Sequence, residues 1–528
     1  MYSRLPACFA SALLLSVGAS ASIAATYTVL PDGSGDYPTI QAALTAASTG
    51  DTILLGDGVF TGAGNRNLNY LAKTLVVRSA SGDPSACTID CEGAARGFTF
   101  VSVTSPAAML SGVRVINGDG DGSAIYCENS SPTIENCVLE DNGSMNRGGG
   151  IHCRLGSYPT IRDCIIRNND SSSGGGLYCY DSGATVSGTV LTNNRAHQVG
   201  GGGIFMNVRA IVTLIGCEIS GNTAPTQGGG IYCGGGFTVE SDLDMVDCLV
   251  SGNEGPLGGG LFINTAYVNV SNTVFTGNAS PSDGGAVYVA SSSPAFTGCT
   301  FAGNHAAADG GAFALYSSNP ALESSILWGN CADGLGDEVH FENAGGSVTF
   351  TCSVISSAAI EGTGTVNIDG NSVDADPLFC APEPCGSAPT LAGEYTLEPA
   401  SPAAPENSPC GLIGALDVGC GVSGVEDDTV GNTVLGTGLH TYAAPNPVRT
   451  GADVRLVIPG AAGEVCHVEL FDVEGRRVRS WSGLAASDRV VLDPSATGEV
   501  FEALRPGAYF VRVRLGSQIY RGRLSVVR

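Results

Sequence analysis

The residues best suited to bind a ligand are aromatic side chains that recur at a nearly constant interval. Steps of 26 to 30 residues separate the members of this row. Because an aromatic face can stack on a sugar ring, a continuous outer row predicts a polysaccharide-binding stripe. Rings that pack on one another or beneath turn loops are the favoured, structural interpretation, and the binding stripe is the functional alternative. The candidate ligand-binding residues are Tyr126, Tyr178, Phe205, Tyr232, Phe262 and Tyr288, with His152 at the equivalent position between the first two.

A short acidic loop is the candidate metal site. Asp119 and Asp121, with Asn117 before them and Glu128 after them, have the spacing of a calcium-binding loop except for the asparagine at its first position. In such a loop a helix returns the glutamate to the ion, whereas residues 125–127 have the pattern of a strand that carries Glu128 away. A polar turn is the favoured interpretation, and weak calcium binding is the alternative. No other cofactor is predicted.

A repeated unit must position these side chains. Between about residues 120 and 340, an asparagine recurs every 25 to 31 residues, and a glycine turn lies between successive asparagines. Periods of this length indicate stacked structural units, and short strand-like runs make each unit one coil of a β-solenoid. Stacked asparagines are expected to exchange side-chain hydrogen bonds at a spacing of about 4.8 Å. This predicted ladder comprises Asn142, Asn169, Asn194, Asn222, Asn253, Asn278, Asn304 and Asn330.

The apolar positions of each repeat alternate, as expected for strands with one face turned inward. One inward column begins at Ile151. A second column begins at Cys153, two residues further along the same strand and on the same face. A further inward column is uniformly small and includes Cys137, Cys164 and Cys217. Parallel Cβ vectors hold stacked sulfurs in poor geometry for a bond, so most of these cysteines are expected to be free thiols. The predicted fold class is all-β: a right-handed parallel β-helix followed by a small antiparallel sandwich.

Two copies of the repeat carry a more specific pattern. Residues 284–287 read Gly-Gly-Ala-Val after Phe275-x-x-Asn278, and residues 310–313 read Gly-Gly-Ala-Phe after Phe301-x-x-Asn304. These repeats resemble those of the chlamydial polymorphic outer membrane proteins. The resemblance covers roughly 200 residues. It implies the β-helix fold and suggests a role in surface adhesion.

The predicted solenoid spans residues 26–370, and its first part, about residues 26–60, is predicted to be a cap. Residues 42–47, with Ile40, Ala43 and Leu44 on one face, predict an amphipathic capping helix. The preceding Asp32-Gly-Ser-Gly-Asp-Tyr-Pro-Thr-Ile-Gln41 resembles the opening of pectin methylesterases and other pectin-lyase-like proteins. However, the aspartate, histidine and arginine motifs of that class are missing, so no catalytic residue is predicted. A polysaccharide lyase or glycoside hydrolase acting on the outer face remains the enzymatic alternative.

After the solenoid, residues 371–421 are rich in proline and cysteine and predict a C-terminal cap. A cap with so little core of its own is expected to need covalent support. The disulfide candidates are Cys380, Cys385, Cys410 and Cys420, which we expect to form two bonds among themselves.

Both ends of the chain carry predicted export or sorting segments. Residues 1–25 have the charge, apolar stretch and small-residue zone of a signal peptide. Residues 422–440 predict a linker, and residues 441–528 an immunoglobulin-like sandwich. Asn446-Pro447, Asp472-x-x-Gly475, Gly507-x-Tyr509 and the last six residues resemble the type A C-terminal sorting domain of the type IX secretion system, with the hook-capping immunoglobulin-like fold as the alternative. The resemblance implies a secretion-machinery partner and an extracellular or outer-surface location.

Composition limits the functions that remain. A formal net charge of −26 disfavours nucleic acid as a partner, because binding phosphates requires a basic surface. No run of about 18 apolar residues predicts a membrane-spanning helix after the signal. The favoured function is non-enzymatic binding of polysaccharide or a cell-surface partner. The enzymatic alternative and a purely structural envelope component stay open.

Overall fold

A computed structural model of the chain describes residues 24–419, except 144 and 237–239, and the backbone of eight strands between residues 442 and 527. Three parallel sheets form a solenoid in which each complete coil contributes one strand to each sheet, in the order A, B, C. Sheet A has 14 strands: Thr26–Val29, Thr52–Leu55, Val76–Ser79, Met109–Ser111, Thr133–Glu135, Thr160–Arg162, Gly183–Ser187, Ile211–Ile215, Ser241–Val246, Ala266–Ser271, Ala295–Thr297, Ala321–Glu323, Ser347–Thr351 and Thr365–Ile368.

Sheets B and C have 12 strands each. Sheet B comprises Gly58–Phe60, Cys87–Asp90, Arg114–Ile116, Val138–Glu140, Ile165–Arg167, Val190–Thr192, Glu218–Ser220, Leu249–Ser251, Val274–Thr276, Thr300–Ala302, Ile326–Leu327 and Val354–Ile355. Sheet C comprises Leu68–Asn69, Phe98–Val101, Ile125–Glu128, Ile151–Arg154, Leu177–Tyr180, Ile204–Asn207, Ile231–Gly234, Leu261–Asn264, Val287–Ala290, Phe313–Tyr316, Val339–Phe341 and Ile360–Gly362.

Shorter elements complete the described chain. Two-residue strands between sheets B and C pair in two small groups: Asp170–Ser171 with Arg195–Ala196, and Ala279–Ser280 with His305–Ala306 and Cys331–Ala332. Single 3₁₀ turns lie at Ala63–Asn65, Ser357–Ala359 and Cys385–Ser387. No helix in the described part of the chain is both long and apolar enough to cross a membrane.

The predicted asparagines stack at the corner between sheets B and C. From Asn142 to Asn304, each Nδ2 donates to the Oδ1 of the asparagine one coil further on, as from Asn194 to Asn222 at 3.1 Å and from Asn304 to Asn330 at 2.8 Å. The same Oδ1 also accepts from the backbone N–H of the preceding asparagine, so each coil is joined to the next by two bonds at this corner. All eight side chains are buried. Buried amides must have partners, and the stack supplies them.

The residue before each asparagine explains a doublet that recurs in the sequence. Asn168 and Asn193 have φ of 55° and 53°, in the left-handed region that only glycine, asparagine and aspartate adopt at low cost. Later coils use glycine at this position, as at Gly221, where φ is 61°. The left-handed residue turns the chain from sheet B towards sheet C and aims the following asparagine into the interior.

The inward cysteines are buried and free. Cys127, Cys153 and Cys179 stack in register on sheet C, and Cys137 and Cys164 stack at the corner between sheets A and B. Burial raises the pKa of the Cys233 thiol, and the other stacked thiols behave as small apolar groups. The prediction of free interior thiols is confirmed for the described cysteines of the coils before Cys331.

A seven-residue helix, Ile40–Ala46, closes the N-terminal end of the solenoid. The Thr39 hydroxyl accepts from the N–H of Ala42, and Ile40, Ala43 and Leu44 are buried against the first coil. At the other end of the helix, the Lys73 ammonium donates to three carbonyl oxygens, those of Leu44, Thr45 and Ala47, at 2.8 to 2.9 Å. A cation at these unpaired carbonyls also complements the helix dipole.

The segment after the last coil differs from the predicted cap, because it lies along the outer face of sheet B. Phe379–Ala381 pairs antiparallel with Glu394–Leu397. Tyr395, Leu397 and Ile413 pack there with Ile326 and Val354, whose side chains point outward from sheet B. At the last coils, the outer face of sheet B is therefore part of a second, smaller apolar core rather than a solvent-exposed surface.

The predicted pairing of cysteines within this segment is wrong for two of them. Cys385 bonds to Cys331 and Cys410 bonds to Cys352, so both disulfides tie the segment to coils of the solenoid. Cys380 is also disulfide-bonded. Cys420 lies outside the described residues, as do the predicted signal peptide up to residue 23 and the predicted linker. These pairings have a simple cause: a segment that lies along one face of the solenoid places its cysteines nearest the cysteines of that face.

Beyond residue 441 the described backbone forms two sheets. Tyr442–Ala444, Val454–Val457 and Arg489–Leu492 make an antiparallel three-stranded sheet. The second sheet has five strands, in the order Val448–Arg449, Gln518–Val527, Gly507–Leu515, Val465–Phe471 and Arg477–Leu484. Its pairs are antiparallel except for the first. The immunoglobulin-like identity of this part stays a prediction.

Candidate functional site

The predicted aromatic row is present on sheet C, in register from coil to coil. Tyr126, His152 and Tyr178 pair with one another, and the row continues through Phe205, Tyr232, Phe262 and Tyr288. From Tyr178 onward, successive rings stack with centroids 4.6 to 5.6 Å apart and interplanar angles of at most 20°.

These rings are covered, which corrects the interpretation of the row as an exposed binding stripe. Tyr178 is 3% exposed and Tyr288 8%, and Tyr232 is only partly accessible. The glycine turns fold back over the rings: at Gly174, with φ of 63°, a Cβ atom would lie 2.9 Å from the Cβ of Tyr178. Arg147 lies over the Tyr178 ring at 5.7 Å. The row therefore forms an outer apolar layer beneath the turns, as the structural interpretation of the sequence predicts.

Burial also changes the chemistry of these side chains. It raises the pKa of Tyr178 to about 12 and lowers the pKa of His152 to about 4. At neutral pH the imidazole of His152 is therefore uncharged. Its side chain is also only 2% exposed. Neither group is placed to exchange protons with a ligand in solution.

Exposed apolar side chains gather instead at the corner between sheets C and A, which we call the C–A edge. The largest exposure is that of Tyr267, at 64%, on the strand Ala266–Ser271. Ile211, Asp242 and Tyr267 are adjacent in register on sheet A, so they form one continuous surface. The exposed apolar residues of the edge are Leu155, Tyr158, Tyr180, Ile211, Tyr267 and Tyr316.

Polar groups lie between the exposed rings of the edge. Arg209 and Asp181 form an ion pair at 2.7 Å, and the Asn269 amide donates to the Asp244 carboxylate at 3.1 Å. Burial and the nearby Asp244 carboxylate raise the pKa of Asp242. A hydrogen bond to Glu240 raises the pKa of the Tyr267 hydroxyl. The edge thus combines aromatic faces with carboxylates and an amide.

The backbone of the C–A edge is strained at several coils. Leu155, Val208 and Thr265 have φ of 52°, 52° and 51°, in a region that β-branched and bulky residues rarely adopt. At the corner between sheets B and C, the equivalent positions are held by Asn, Asp or Gly. Strain of this kind persists only where the surrounding structure enforces it, and it is concentrated at functional sites in proteins. The difference in residue type between the two corners is visible in the sequence. It can be assigned to a particular corner only once the structure shows where each corner lies.

The predicted calcium ligands do not converge. Asp119 lines an open concavity beside sheet B, whereas the Asp121 carboxylate accepts from the backbone N–H of Arg147 at 3.1 Å. Glu128 lies on the sheet C strand, where the Tyr126 hydroxyl donates to it. Across the described residues, no group of three or more His, Cys, Asp or Glu side chains is arranged to hold a metal ion.

The concavity that Asp119 lines is acidic and has a volume of about 620 Å³. Asp90, Glu92 and Asp141 are its other carboxylates. Three of the four already have protein partners: Asn117 donates to Asp90 at 2.9 Å, Arg66 forms an ion pair with Glu92, and the backbone N–H of Gly120 donates to Asp119 at 2.8 Å. The concavity lies on a different side of the coil from the C–A edge.

Two further histidines have acidic neighbours. His197 Nδ1 lies 2.7 Å from Asp170 Oδ1, and His305 Nε2 lies 3.3 Å from Asp333 Oδ1. Both pairs occupy the turns between sheets B and C, away from the C–A edge.

Comparison with known proteins defines the class of fold. A family model described as the right-handed β-helix region matches residues 82–244 and, in an overlapping match, residues 123–294. Among solved structures, the A-module of the Azotobacter vinelandii mannuronan C-5 epimerase AlgE6 aligns at 16% identity with a TM-score of 0.40, over 64% of this chain and 94% of that one. No curated protein matches the sequence. The family-model match and the three parallel sheets together identify the described coils as a right-handed parallel β-helix, as the repeat predicted.

Proposed function

We propose that this protein is an extracellular binding protein that holds a neutral polysaccharide on the C–A edge of its β-helix. The observation that carries the proposal is the group of exposed tyrosines there, on a solenoid whose other aromatic row is buried. Isolated exposed apolar residues are ordinary, but a line of them along one edge is typical of an interaction surface. Exposed rings beside carboxylates and amides are the groups that stack on and hydrogen-bond to sugars.

The geometry of the edge suits a linear ligand. Neighbouring strands of a sheet lie about 4.8 Å apart, so the edge repeats on roughly the scale of one sugar unit. Tyr158 and Tyr267 lie four coils apart, with Ile211 midway between them. The carboxylates of Glu240, Asp242 and Asp244 repel acidic polysaccharides, so the expected ligand is uncharged.

The proposed location is the outer surface of the cell. The N-terminal signal-like residues and the resemblance of the last 88 residues to a sorting domain favour export and attachment to the outer surface of the cell. The resemblance to the chlamydial repeat proteins supports an adhesive role. A bound glycan at the cell surface would serve either adhesion or capture.

Binding to a panel of purified polysaccharides tests the proposal. In affinity electrophoresis, the purified chain is expected to be retarded by at least one neutral polysaccharide and not by a polyuronate. Tyr267→Ala is expected to weaken that retardation at least tenfold. Leu391→Ala, which removes another exposed apolar side chain on the far side of the coil, is the matched control and is expected to bind normally. Equal binding by both variants would place the ligand elsewhere.

The enzymatic alternative rests on one feature, the acidic concavity of Asp90, Glu92, Asp119 and Asp141. Paired carboxylates can act as acid and base or as calcium ligands in polysaccharide cleavage. Following unsaturated-product absorbance and reducing ends in the same panel, with and without calcium, detects such an activity. Turnover that is lost in Asp119→Asn would establish the enzyme and overturn the non-enzymatic proposal.

A further inference from the structure

The two ends of the β-helix differ in how they are closed. At the N-terminal end the helix Ile40–Ala46 covers the first coil, and Val29 and Ile53 beneath it are fully buried. At the C-terminal end the last strands of sheets C and A are Ile360–Gly362 and Thr365–Ile368, and all four residues of the latter are exposed.

The apolar core of the solenoid continues to this open end. Val366 pairs with Val348 and Ile368 pairs with Phe350, and both partners are 1% exposed. By register, Val366 and Ile368 belong to the same inward columns, yet they are 39% and 45% exposed. They form an apolar floor over which the described chain places no further coil.

The backbone of the last strand is also unpaired on one side. The N–H groups of Thr365 and Asp369 donate back to Gly346 and Phe350 in the preceding coil. In a parallel ladder alternate residues bond to opposite neighbours, so the N–H groups of Val366 and Ile368 point towards the open end. An uncovered edge of this kind pairs readily with another strand, and native proteins normally cover it.

The rim of the open end is acidic. Glu361, Asp374 and Asp376 are exposed around the floor, and Asp369 lies beside them. Two copies of the chain that met through this end would place these carboxylates against one another. Charge therefore disfavours a second copy as the occupant and favours a basic partner.

The chain itself contains such a partner. Residues 442–528 hold 12 of the 24 Lys and Arg residues but only 9 of the 50 Asp and Glu residues, so this part has a net charge of +3 and the rest −29. The described segment ends at Gly419, which bonds to Leu397 next to the last coils. The 22 intervening residues can span up to about 70 Å when extended.

We propose that the C-terminal strands between Tyr442 and Val527 dock on the open end of the β-helix and cover Val366 and Ile368. The tether keeps the two parts at a high effective concentration, so modest contact area suffices for docking. Arginines of the C-terminal part neutralise the acidic rim. The docked strands close the core that the solenoid leaves open, as the N-terminal helix does at the other end.

Hydrogen exchange on the full chain, followed by mass spectrometry at low ionic strength, tests the proposal. The amides of Val366 and Ile368 are expected to exchange at least 100-fold more slowly than unprotected amides. Ile368→Asp is expected to remove that protection and to speed proteolysis between residues 420 and 441. Leu391→Asp, a charge placed at a similarly exposed apolar site on the outer face of sheet B, is expected to change neither.

Three outcomes would overturn the proposal. Fast exchange of residues 365–368 in the unmodified monomer would show that the end is uncovered. Protection that disappears on dilution, together with a dimer mass in light scattering, would make a second copy the occupant. Protection that survives in Ile368→Asp would show that the apolar floor is not the docking surface. None of these outcomes bears on polysaccharide binding at the C–A edge.

Discussion

At the scale of single residues, the end of the asparagine ladder is the most unusual position. Asn330 has no further asparagine to bond, and its N–H and Nδ2 donate instead to the carboxyl of Glu338, the latter at 2.7 Å. Glu338 is 2% exposed, and burial raises its pKa to about 8. The ladder thus ends on a carboxylic acid that is neutral over much of the physiological range.

A raised pKa makes Glu338 a source of pH-dependent stability. The folded state holds its proton up to about pH 8, whereas the unfolded state releases it near the ordinary pKa of 4.5, so stability falls as pH rises between these values. Glu338→Gln is expected to flatten that fall, so that the variant loses roughly 4 kcal/mol less unfolding free energy than the unmodified protein between pH 5 and pH 8.5. Chemical denaturation at pH 5, 7 and 8.5 measures it. Glu361→Gln, at an exposed site near the same end, should keep the normal slope; a flat profile there would contradict the assignment.

A second residue-scale prediction separates buried from exposed tyrosines. Tyr178→Ala removes a stacked, covered ring and is expected to cost about 3 to 5 kcal/mol of unfolding free energy. Tyr267→Ala removes an exposed ring and should change stability by less than about 0.5 kcal/mol. Thermal and denaturant unfolding compare the two. A neutral Tyr178→Ala would mean that the glycine turns do not cover the row.

Much of the residue pattern was predictable, and the aromatic row shows where prediction stopped. Alternation along a strand reports correctly that Tyr178 points away from the interior. It contains no information on what lies above the sheet. The covering turn at Gly174 becomes visible only when the chain between sheets B and C is traced over the ring.

At the scale of elements, the segment 377–419 is held to sheet B by two disulfides and an apolar contact. Cys331–Cys385 and Cys352–Cys410 close loops of 54 and 58 residues. Tyr395, Leu397 and Ile413 remain packed on Ile326 and Val354 even without the bonds. The segment is therefore an accessory layer rather than part of the coil stack.

Removing both bonds should loosen this layer alone. The Cys385→Ser and Cys410→Ser double variant is expected to exchange amides of residues 377–419 at least tenfold faster, with unchanged protection of the coils before residue 300. The eleven buried thiols of the described coils provide an internal control, because they should resist alkylation in both proteins until denaturant is added. Alkylation of native coil thiols, mapped by mass spectrometry, would contradict this separation of layer and solenoid.

At the scale of the whole molecule, the solenoid is one-dimensional, because each described coil contacts mainly its two neighbours. Damage to one coil is therefore expected to stay local. The asparagine ladder makes this testable, since Asn222 bonds to asparagines on both sides whereas Asn142 stands at the beginning. Position in the stack, not residue type, should set the cost of a substitution.

Asn222→Ala is expected to cost about 3 kcal/mol, because it leaves buried donors and acceptors of two coils unpaired. Asn142→Ala should cost less, since it has one asparagine neighbour. Hydrogen exchange should show faster amides only in the coils from about residue 190 to 260 for the central variant. Uniform acceleration along the whole chain would refute the nearest-neighbour description. Asn367→Ala, at an exposed site, controls for the amide itself.

The sequence by itself determined the coil: its period, its inward columns, the asparagine corner and the helix at its start. Those features follow from the local alternation of apolar and polar residues and from residue types, such as asparagine and glycine, that tolerate a left-handed backbone conformation. Tertiary structure alone decided which outward side chains are covered, where the segment after residue 376 lies, which cysteines pair and which end stays open. These depend on contacts between distant parts of the chain, and local pattern does not report on such contacts.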